Sequence, residues 1–321
     1  MPAFFCRQQI GPLLYRESAL PPGARGQYAS PMRTCAFLTT ADLTGFVTDD
    51  DLAIPALAER GWNVEHVAWR SDAEWDRFDA VVVRTTWDYQ AAPAHFLQVL
   101  ERIAASRARL ANDLDVMRWN MDKRYLRDLE DAGVAIPRSV WLPKLTDDDV
   151  PRLFAELAAD EIIIKPVVSA NADHTYRVRR EERGCRPEEI VDVFEERACI
   201  VQPFLPRVLD EGEYSVIFFL GEYSHALLKT PKHGDFRVQE EHGGRITRVH
   251  ATDALLDAAR RALAPVAPVP LYARADFVRD DGAFLLMELE LIEPALYFRM
   301  DESAPARFAD ALVAWMAEVS I

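Results

Sequence analysis

The chain is short of several things, and each shortage excludes a class of protein. Four cysteines occur in 321 residues, at positions 6, 35, 185 and 199, and no two form a Cys-x-x-Cys pair. That spacing supports neither a zinc site nor a disulfide framework, and a reducing cytoplasm fits it best. Positive charge is also in deficit: 37 Lys and Arg stand against 52 Asp and Glu, a formal net charge of −15. Nucleic-acid backbones are bound by net positive surfaces, so nucleic acid is excluded as a partner. A free nucleotide is not, because it needs only a local cationic pocket. No apolar run approaches the length of a membrane span, and the N-terminus lacks the basic-then-apolar layout of a secretory signal. No internal repeat or low-complexity segment is present. What remains is an ordinary soluble composition, half hydrophobic and 28% charged, in a chain that suits two or three units around shared cores.

Residues 1–31, with Pro21-Pro22-Gly23 and apolar residues in no period, predict a disordered extension, and the first domain begins near Met32. A strand from Thr34, a helix over 50–60 stopped by Gly61, an alternating strand over 62–69, an apolar strand over 79–84 and a helix over 92–106 predict a small α/β unit over 32–115. A helix opening at Trp119 and closed by Gly133, strands over 140–142 and 161–168, and helices over 151–159 and 188–196 predict a second unit over 116–200. The third, over 201–321, holds paired strands around Gly221-Glu222, a helix over 253–264, a hairpin over 271–291 and a C-terminal helix over 306–318.

The chemistry is concentrated in a few segments. Glu161-Ile-Ile-Ile-Lys165-Pro166 places a lysine at the end of an otherwise buried strand, where an ammonium is costly unless an anion meets it. The same lysine on an edge strand would only block aggregation. In the 271–291 hairpin, Arg274, Asp276, Glu288 and Glu290 bring three carboxylates together with one guanidinium. A three-residue turn Asp280-Asp281-Gly282 sets Arg274 opposite Glu288 and Tyr272 opposite Glu290, with all four charged groups on one face and Phe277, Leu285, Met287, Leu289 and Leu291 on the other. A two-residue Asp-Gly turn would split the charged groups between faces. Clustered carboxylates repel unless a cation lies among them. A lysine together with a separate carboxylate cluster is what holding magnesium and a polyphosphate requires.

Lys123 alone would be a surface helix lysine, and becomes informative only if it meets the same phosphates. The uncharged Cys199-Ile-Val-Gln202-Pro203-Phe204 leaves backbone groups free to read an adenine edge. Glu213 after Gly212 suits ribose hydroxyls, with Asp210 and Glu211 as competitors. Arg237, in a polar loop carrying Gly234, Gly243 and Gly244, suits a phosphoryl group or a carboxylate, because guanidinium bonds planar oxyanions in pairs. Arg84 and Asp88 follow the carboxyl end of a parallel strand, where open α/β sheets bind ligands, and suit an amino-acid-like substrate; Trp87 and Tyr89 read as packing.

In order, Asp122-Lys123, Ile-Lys165-Pro166, Val-Gln202-Pro-Phe204-Leu, Gly212-Glu213, Lys229, Arg274-Ala-Asp276 and Glu288-Leu-Glu290 with Glu293-Pro294 resemble the ATP-grasp ligases over nearly all of 32–321. Arg84 to Tyr89 and Tyr223-Ser224-His225 look like the branch of the cycloserine-forming cyclo-ligase and prokaryotic glutathione synthetase. The resemblance implies an α/β fold, α+β in its ATP-binding part, with an N-terminal Rossmann-like domain over 32–115 and small and large ATP-grasp subdomains over 116–200 and 201–321. It implies ATP held by Lys123 and Lys165, with adenine near Gln202 and Phe204, ribose at Glu213, and Mg2+ (or Mn2+) on Asp276, Glu288 and Glu290. The segment Ser169-Ala170-Asn171-Ala172-Asp-His-Thr175 lacks the glycines usual in the phosphate-covering loop, and Glu290 stands where the wider family often has asparagine.

The implied reaction is phosphorylation of a carboxylate by ATP and attack of an amine on the acyl phosphate, in a cytoplasmic enzyme of amino-acid metabolism or antibiotic biosynthesis. Arg237 and Lys229 would neutralise the transferring phosphoryl group, and Arg274 would orient the acyl phosphate. The amine belongs either to a second substrate or to the same molecule. A kinase on the same fold and a nucleotide binder without turnover are the alternatives, and the family's habit of pairing leaves a homodimer open.

Overall fold

The computed structural model describes residues 32–182 and 187–318; the expected extension, Cys6 and Cys185 lie outside them. The apolar runs of the first unit form β1 (Arg33–Thr39), β2 (Trp62–Ala68), β3 (Ala80–Thr85) and β4 (Arg109–Ala111), all parallel in the order β2-β1-β3-β4. Gly61, at φ +79°, ends α1 (Ala53–Glu59) and turns the chain into β2. Following β3, α2 (Pro93–Ala104) opens with proline in its first turn and buries Phe96, Val99, Leu100 and Ile103. Every residue of β3 is buried, the signature of a parallel strand covered on both faces.

The helix expected from Trp119 to Gly133 is two helices, α3 (Leu114–Asn120) and α4 (Tyr125–Asp131). Asp113 caps α3 by accepting from the Asp115 N–H, and the Lys123 N–H in the break donates to the Val167 carbonyl (2.7 Å). The break therefore ties Lys123 to the strand that carries Lys165. That strand is β6 (Glu161–Pro166), in an antiparallel sheet with β5 (Val140–Leu142), β7 (Tyr176–Arg179) and β8 (Cys199–Pro203), order β5-β8-β6-β7. β8 crosses the boundary expected after residue 200 and pairs wholly within this sheet. The half-exposed β7 has too little apolar alternation to be read from sequence. α5 (Asp149–Glu156) and α6 (Pro187–Phe194) complete this part.

Beyond α7 (Arg207–Asp210), a third, antiparallel sheet contains β9 (Glu213–Phe219), β10 (Glu222–Thr230), β11 (Arg245–Val249), β12 (Tyr272–Asp280) and β13 (Ala283–Glu290), in the order β11-β10-β9-β12-β13. α8 (Asp253–Leu263) packs Leu255, Ala259 and Ala262 against its inner face, and α9 (Ala304–Ala317) sends Phe308 and Leu312 into a core shared with Phe37 and Val82 of the first sheet. Cys35 and Cys199 are buried free thiols. No helix of the described residues is long and apolar enough to cross a membrane.

The hairpin corrects the expected turn. Asp280 pairs with Ala283, so the turn is the two residues Asp281-Gly282, both left-handed (φ +43° and +81°). A bulge between Asp276 and Phe277 then shifts the register, pairing Asp276 with Glu288 and Arg274 with Glu290. The extra residue on β13 is Met287. The bulge restores what a two-residue turn alone would have undone, and the four charged groups share one face. Leu285 and Met287, expected opposite, are on the charged side, against Phe204, Val238 and Val278; Phe277, Leu289 and Leu291 do fill the other face.

Candidate active site

A cleft between the second and third sheets collects most of the residues singled out in the sequence. Along β6 burial alternates: Ile162 and Ile164 enter the core behind, while Ile163 and Lys165 line the cleft. Lys123, Gln202, Phe204, Glu213, Lys229, Arg237, Arg274, Asp276, Glu288 and Glu290 line it too. Arg84 and Asp88, expected at the substrate, are elsewhere. Arg84 is buried (1% exposed), bonded through Nε and Nη2 to Asp50 (3.2 and 2.9 Å) and through Nη2 to the Pro294 carbonyl (2.8 Å). Asp88 accepts from Trp69 Nε1 (2.6 Å) and Arg70 Nε (3.2 Å). Neither lines the cleft; Trp87 and Tyr89, read as packing, do pack, against Phe46 and Phe96, and also line the cleft.

The carboxylates are matched with cations. Asp276 accepts from Ser215 Oγ (2.6 Å), Lys229 Nζ (3.1 Å) and Arg274 Nη2 (3.0 Å). Lys229 also holds Glu213 (2.5 Å), Arg274 also bonds Glu290, and Lys123 holds Glu288 (2.5 Å) while donating to the Ser169 carbonyl (3.0 Å). Consequently, among the described residues no three acidic, imidazole or thiol groups converge as a ready-made metal cage. The cations that the clustered carboxylates demanded are protein side chains.

Burial acts on each group, and its neighbours decide the outcome. Burial would raise Asp276, but Arg274 and Lys229 override it and hold the carboxyl at about 2. Lys229 is held above its usual value because Asp276 and Glu213 outweigh burial. Burial pushes Glu290 up to about 7, against Arg274 and with help from Asp276 and Glu288. Glu288 stays low in spite of burial because Lys123 and Lys165 face it. Burial, and then Lys123, depress Lys165 against the pull of Glu288. The Lys165 ammonium, among the described residues, makes no hydrogen bond or ion pair, as suits a cation that meets an anionic ligand. Arg237 faces the cleft with its guanidinium on Asp235 (Nη2 to Oδ2, 2.8 Å).

The loop after Lys165 solves its shortage of glycine at a cost. Asn171, Ala172 and His174 all adopt left-handed backbone (φ +54°, +55° and +49°), where a non-glycine residue costs about 1–2 kcal/mol. Ser169, Ala170, Asn171, Ala172 and Thr175 line the cleft. The backbone near the expected adenine edge is partly committed, since the Phe204 N–H donates to the Glu161 carbonyl (2.9 Å).

Two kinds of lining residue escaped the sequence reading. One is the loop over 239–241, whose signal was only polarity. The other is Glu293, which the sequence reading placed in the Glu293-Pro294 motif without a role, because strand alternation ends before it. Burial, reinforced by Glu290, pushes its carboxyl up to about 8.

Known proteins share this architecture. Residues 35–112 match the family model of the D-cycloserine synthetase DcsG N-terminal domain, and 146–266 that of the prokaryotic glutathione synthetase ATP-grasp domain. The cycloserine biosynthesis protein DcsG of Streptomyces lavendulae is 32% identical over 285 residues, covering 82% of this chain and 93% of that one. The chain belongs to the DcsG family of ATP-grasp ligases. A crystal structure of D-cycloserine synthetase DcsG superposes with a TM-score of 0.79 at 28% identity, over 88% of this chain and 99% of the other. The D-alanine–D-alanine ligase of Bacillus anthracis shares the fold alone, with a TM-score of 0.64 at 12% identity over 89% and 98% of the two chains. As a DcsG-family ATP-grasp ligase, the protein uses ATP to join a carboxylate to an amine.

Proposed function

We propose that the chain closes a ring within one small amino acid, using ATP with Mg2+ to activate its carboxylate. The observation that carries this is the cleft itself: Lys123 and the unpaired Lys165 meet the carboxylates of β12 and β13 in one space, with Trp87 and Tyr89 of the N-terminal unit as its wall. A substrate carboxylate oxygen attacks the γ-phosphorus and ADP leaves. The amine nitrogen then attacks the acyl carbon, phosphate departs, and the nitrogen loses its proton. Activation is needed because a free carboxylate is a poor electrophile.

Lys123 and Lys165 hold the phosphates, Glu213 meets the ribose, and adenine is read along Gln202 to Leu205. With the Phe204 N–H committed, the Leu205 N–H is the next donor in line. Hard oxygen donors suit magnesium, and Glu288 and Glu290 would hold it, with Asp276 contributing an oxygen already shared with Lys229 and Arg274. Mg2+ supplies charge neutralisation at the transferring phosphoryl group. Lys229 and Arg274 align the carboxylates, and Arg237 completes the positive field from the 231–244 loop. Lys123, which holds Glu288 here, would exchange that carboxylate for a phosphate when nucleotide and metal bind. The domain division is part of the proposal, with the middle boundary placed after Pro203, as are a cytoplasmic location and a homodimer.

The test is ADP and free-phosphate release from Mg-ATP across a panel of amino acids, O-ureido-D-serine among them. Phosphate release that depends on one amino acid, with a product built from a single substrate molecule, is expected. ADP without free phosphate would make the protein a kinase, and a product joining two molecules would overturn ring closure.

A further inference from the structure

The segment after β13 has no regular structure, yet four consecutive carbonyls in it are each held by a side chain from elsewhere. Trp87 Nε1 donates to Glu293 O (2.9 Å), Arg84 Nη2 to Pro294 O (2.8 Å) and Arg274 Nη1 to Ala295 O (3.1 Å). His225 Nε2 lies 3.0 Å from Leu296 O; a carbonyl only accepts, so the ring proton is on Nε2. All four donors are more than nine-tenths buried. Irregular backbone pinned at every step is a rigid support, and rigid support is what a recognition group needs.

Of the strap residues that line the cleft, Ile292, Glu293, Ala295 and Tyr297, Glu293 is the one that carries a carboxyl group. Asp276, Glu213, Glu288 and Glu290 each have a cationic partner within the protein. The Glu293 carboxylate, among the described residues, has no hydrogen bond and no ion pair. Trp87 bonds the Glu293 main-chain carbonyl, and Trp87, Tyr89 and Tyr297 line the same cleft. Lys123 and Arg274 act on this carboxyl only from a distance, and a carboxyl held in place with no cation in contact is complementary to an ammonium group, whose arrival favours the ionised form.

We propose that Glu293 receives the α-ammonium of the amino-acid substrate, and so selects zwitterionic amino acids over carboxylic acids that lack an amine. This rests on the ligase reading above: the carboxylate to be phosphorylated lies toward Glu288 and Glu290, and the ammonium turns to the strap. Trp87, Arg84 and His225 are then positioning residues, acting through the backbone that carries Glu293.

Calorimetric titration of the full chain, saturated with Mg-ADP, tests this without requiring turnover. The probes are both enantiomers of alanine and serine and O-ureido-D-serine, set against lactate and glycerate. In the unsubstituted protein, at least one amino acid is expected to bind about 10- to 100-fold more tightly than its hydroxy counterpart. Glu293→Gln removes that preference, Glu293→Asp restores part of it, and both keep ADP affinity within about twofold, which shows the cleft is intact. Binding of no amino acid, or an undiminished amine preference in Glu293→Gln, overturns the proposal. Ammonium-dependent binding without phosphate release from ATP would sink the ligase reading and leave the subsite standing. Phosphate release indifferent to the amine would do the reverse.

Discussion

Arg84→Met separates the two roles open to this arginine. If it grips substrate, the variant folds normally and loses affinity. If it is the buried pin seen here, the variant loses stability. The guanidinium makes two bonds to Asp50 and one to the Pro294 carbonyl, and Asp50 is itself buried, with Oδ2 already lacking a partner. Removing the cation strands a buried carboxylate, which costs about 3–5 kcal/mol. At roughly 2–4 °C per kcal/mol for a chain of this size, the melting temperature should fall by about 6–20 °C. Replacing both partners, Arg84→Met with Asp50→Leu, removes the stranded charge and should recover more than half of the loss. Thermal unfolding followed by differential scanning fluorimetry, run as a double-mutant cycle, reads both numbers. A melting point unchanged to within about 2 °C, with amino-acid binding abolished, would refute the reasoning and return Arg84 to the substrate.

Three other perturbations follow from the same geometry. His225 is buried and neutral, its pKa pushed down to about 4 mainly by burial against an ordinary value of 6.5. The unfolded chain therefore binds the extra proton first, and stability is lost as pH falls from about 6.5 to about 4, by some 3 kcal/mol; His225→Gln should lack that part of the acid limb in urea melts compared across pH, and an identical limb would show the ring is not the group responsible. Glu288→Gln should lower magnesium-dependent turnover at least ~100-fold, on the scale of losing a charged group that acts on the transferring phosphoryl, and retained activity would sink the metal assignment. At Gly212 the φ of +111° excludes most side chains, and an added Cβ would meet Lys229 O at 2.5 Å; Gly212→Ala should therefore cost about 1–3 kcal/mol and weaken ATP binding through Glu213 and Lys229, whereas an unchanged melting point and ATP affinity would contradict the close approach.

Several parts of this protein were legible because they depend on local pattern. Apolar runs and alternation show the strands that carry Lys165, Asp276 and Glu288, since side-chain direction alternates along a strand and reverses along a helix with its own period. Gly61, at +79°, marks the stop of α1 for a purely backbone reason. The need for cations among Asp276, Glu288 and Glu290 was likewise visible, because like charges at that spacing repel whatever the fold. Their identity was not. Lys123, Lys229 and Arg274 reach those carboxylates across 165, 47 and 2 positions of chain, and only pairing of strands and packing of a broken helix bring them there.

Tertiary structure alone decided the rest. The hairpin's two-residue turn would have separated its charged groups, and the bulge that reunites them is a property of two strands together rather than of either sequence. Arg84 looked like a substrate ligand because it follows a parallel strand; burial of Asp50, 34 positions away, and of the Pro294 carbonyl, 210 positions away, makes it a pin. Glu293 acquires its setting from four donors scattered between positions 84 and 274. Sequence determined which chemical groups were present and which faces had to be buried, because those follow from side-chain type and backbone period. Which group is left without a partner depends on long-range contact, and that is settled only when the chain has folded.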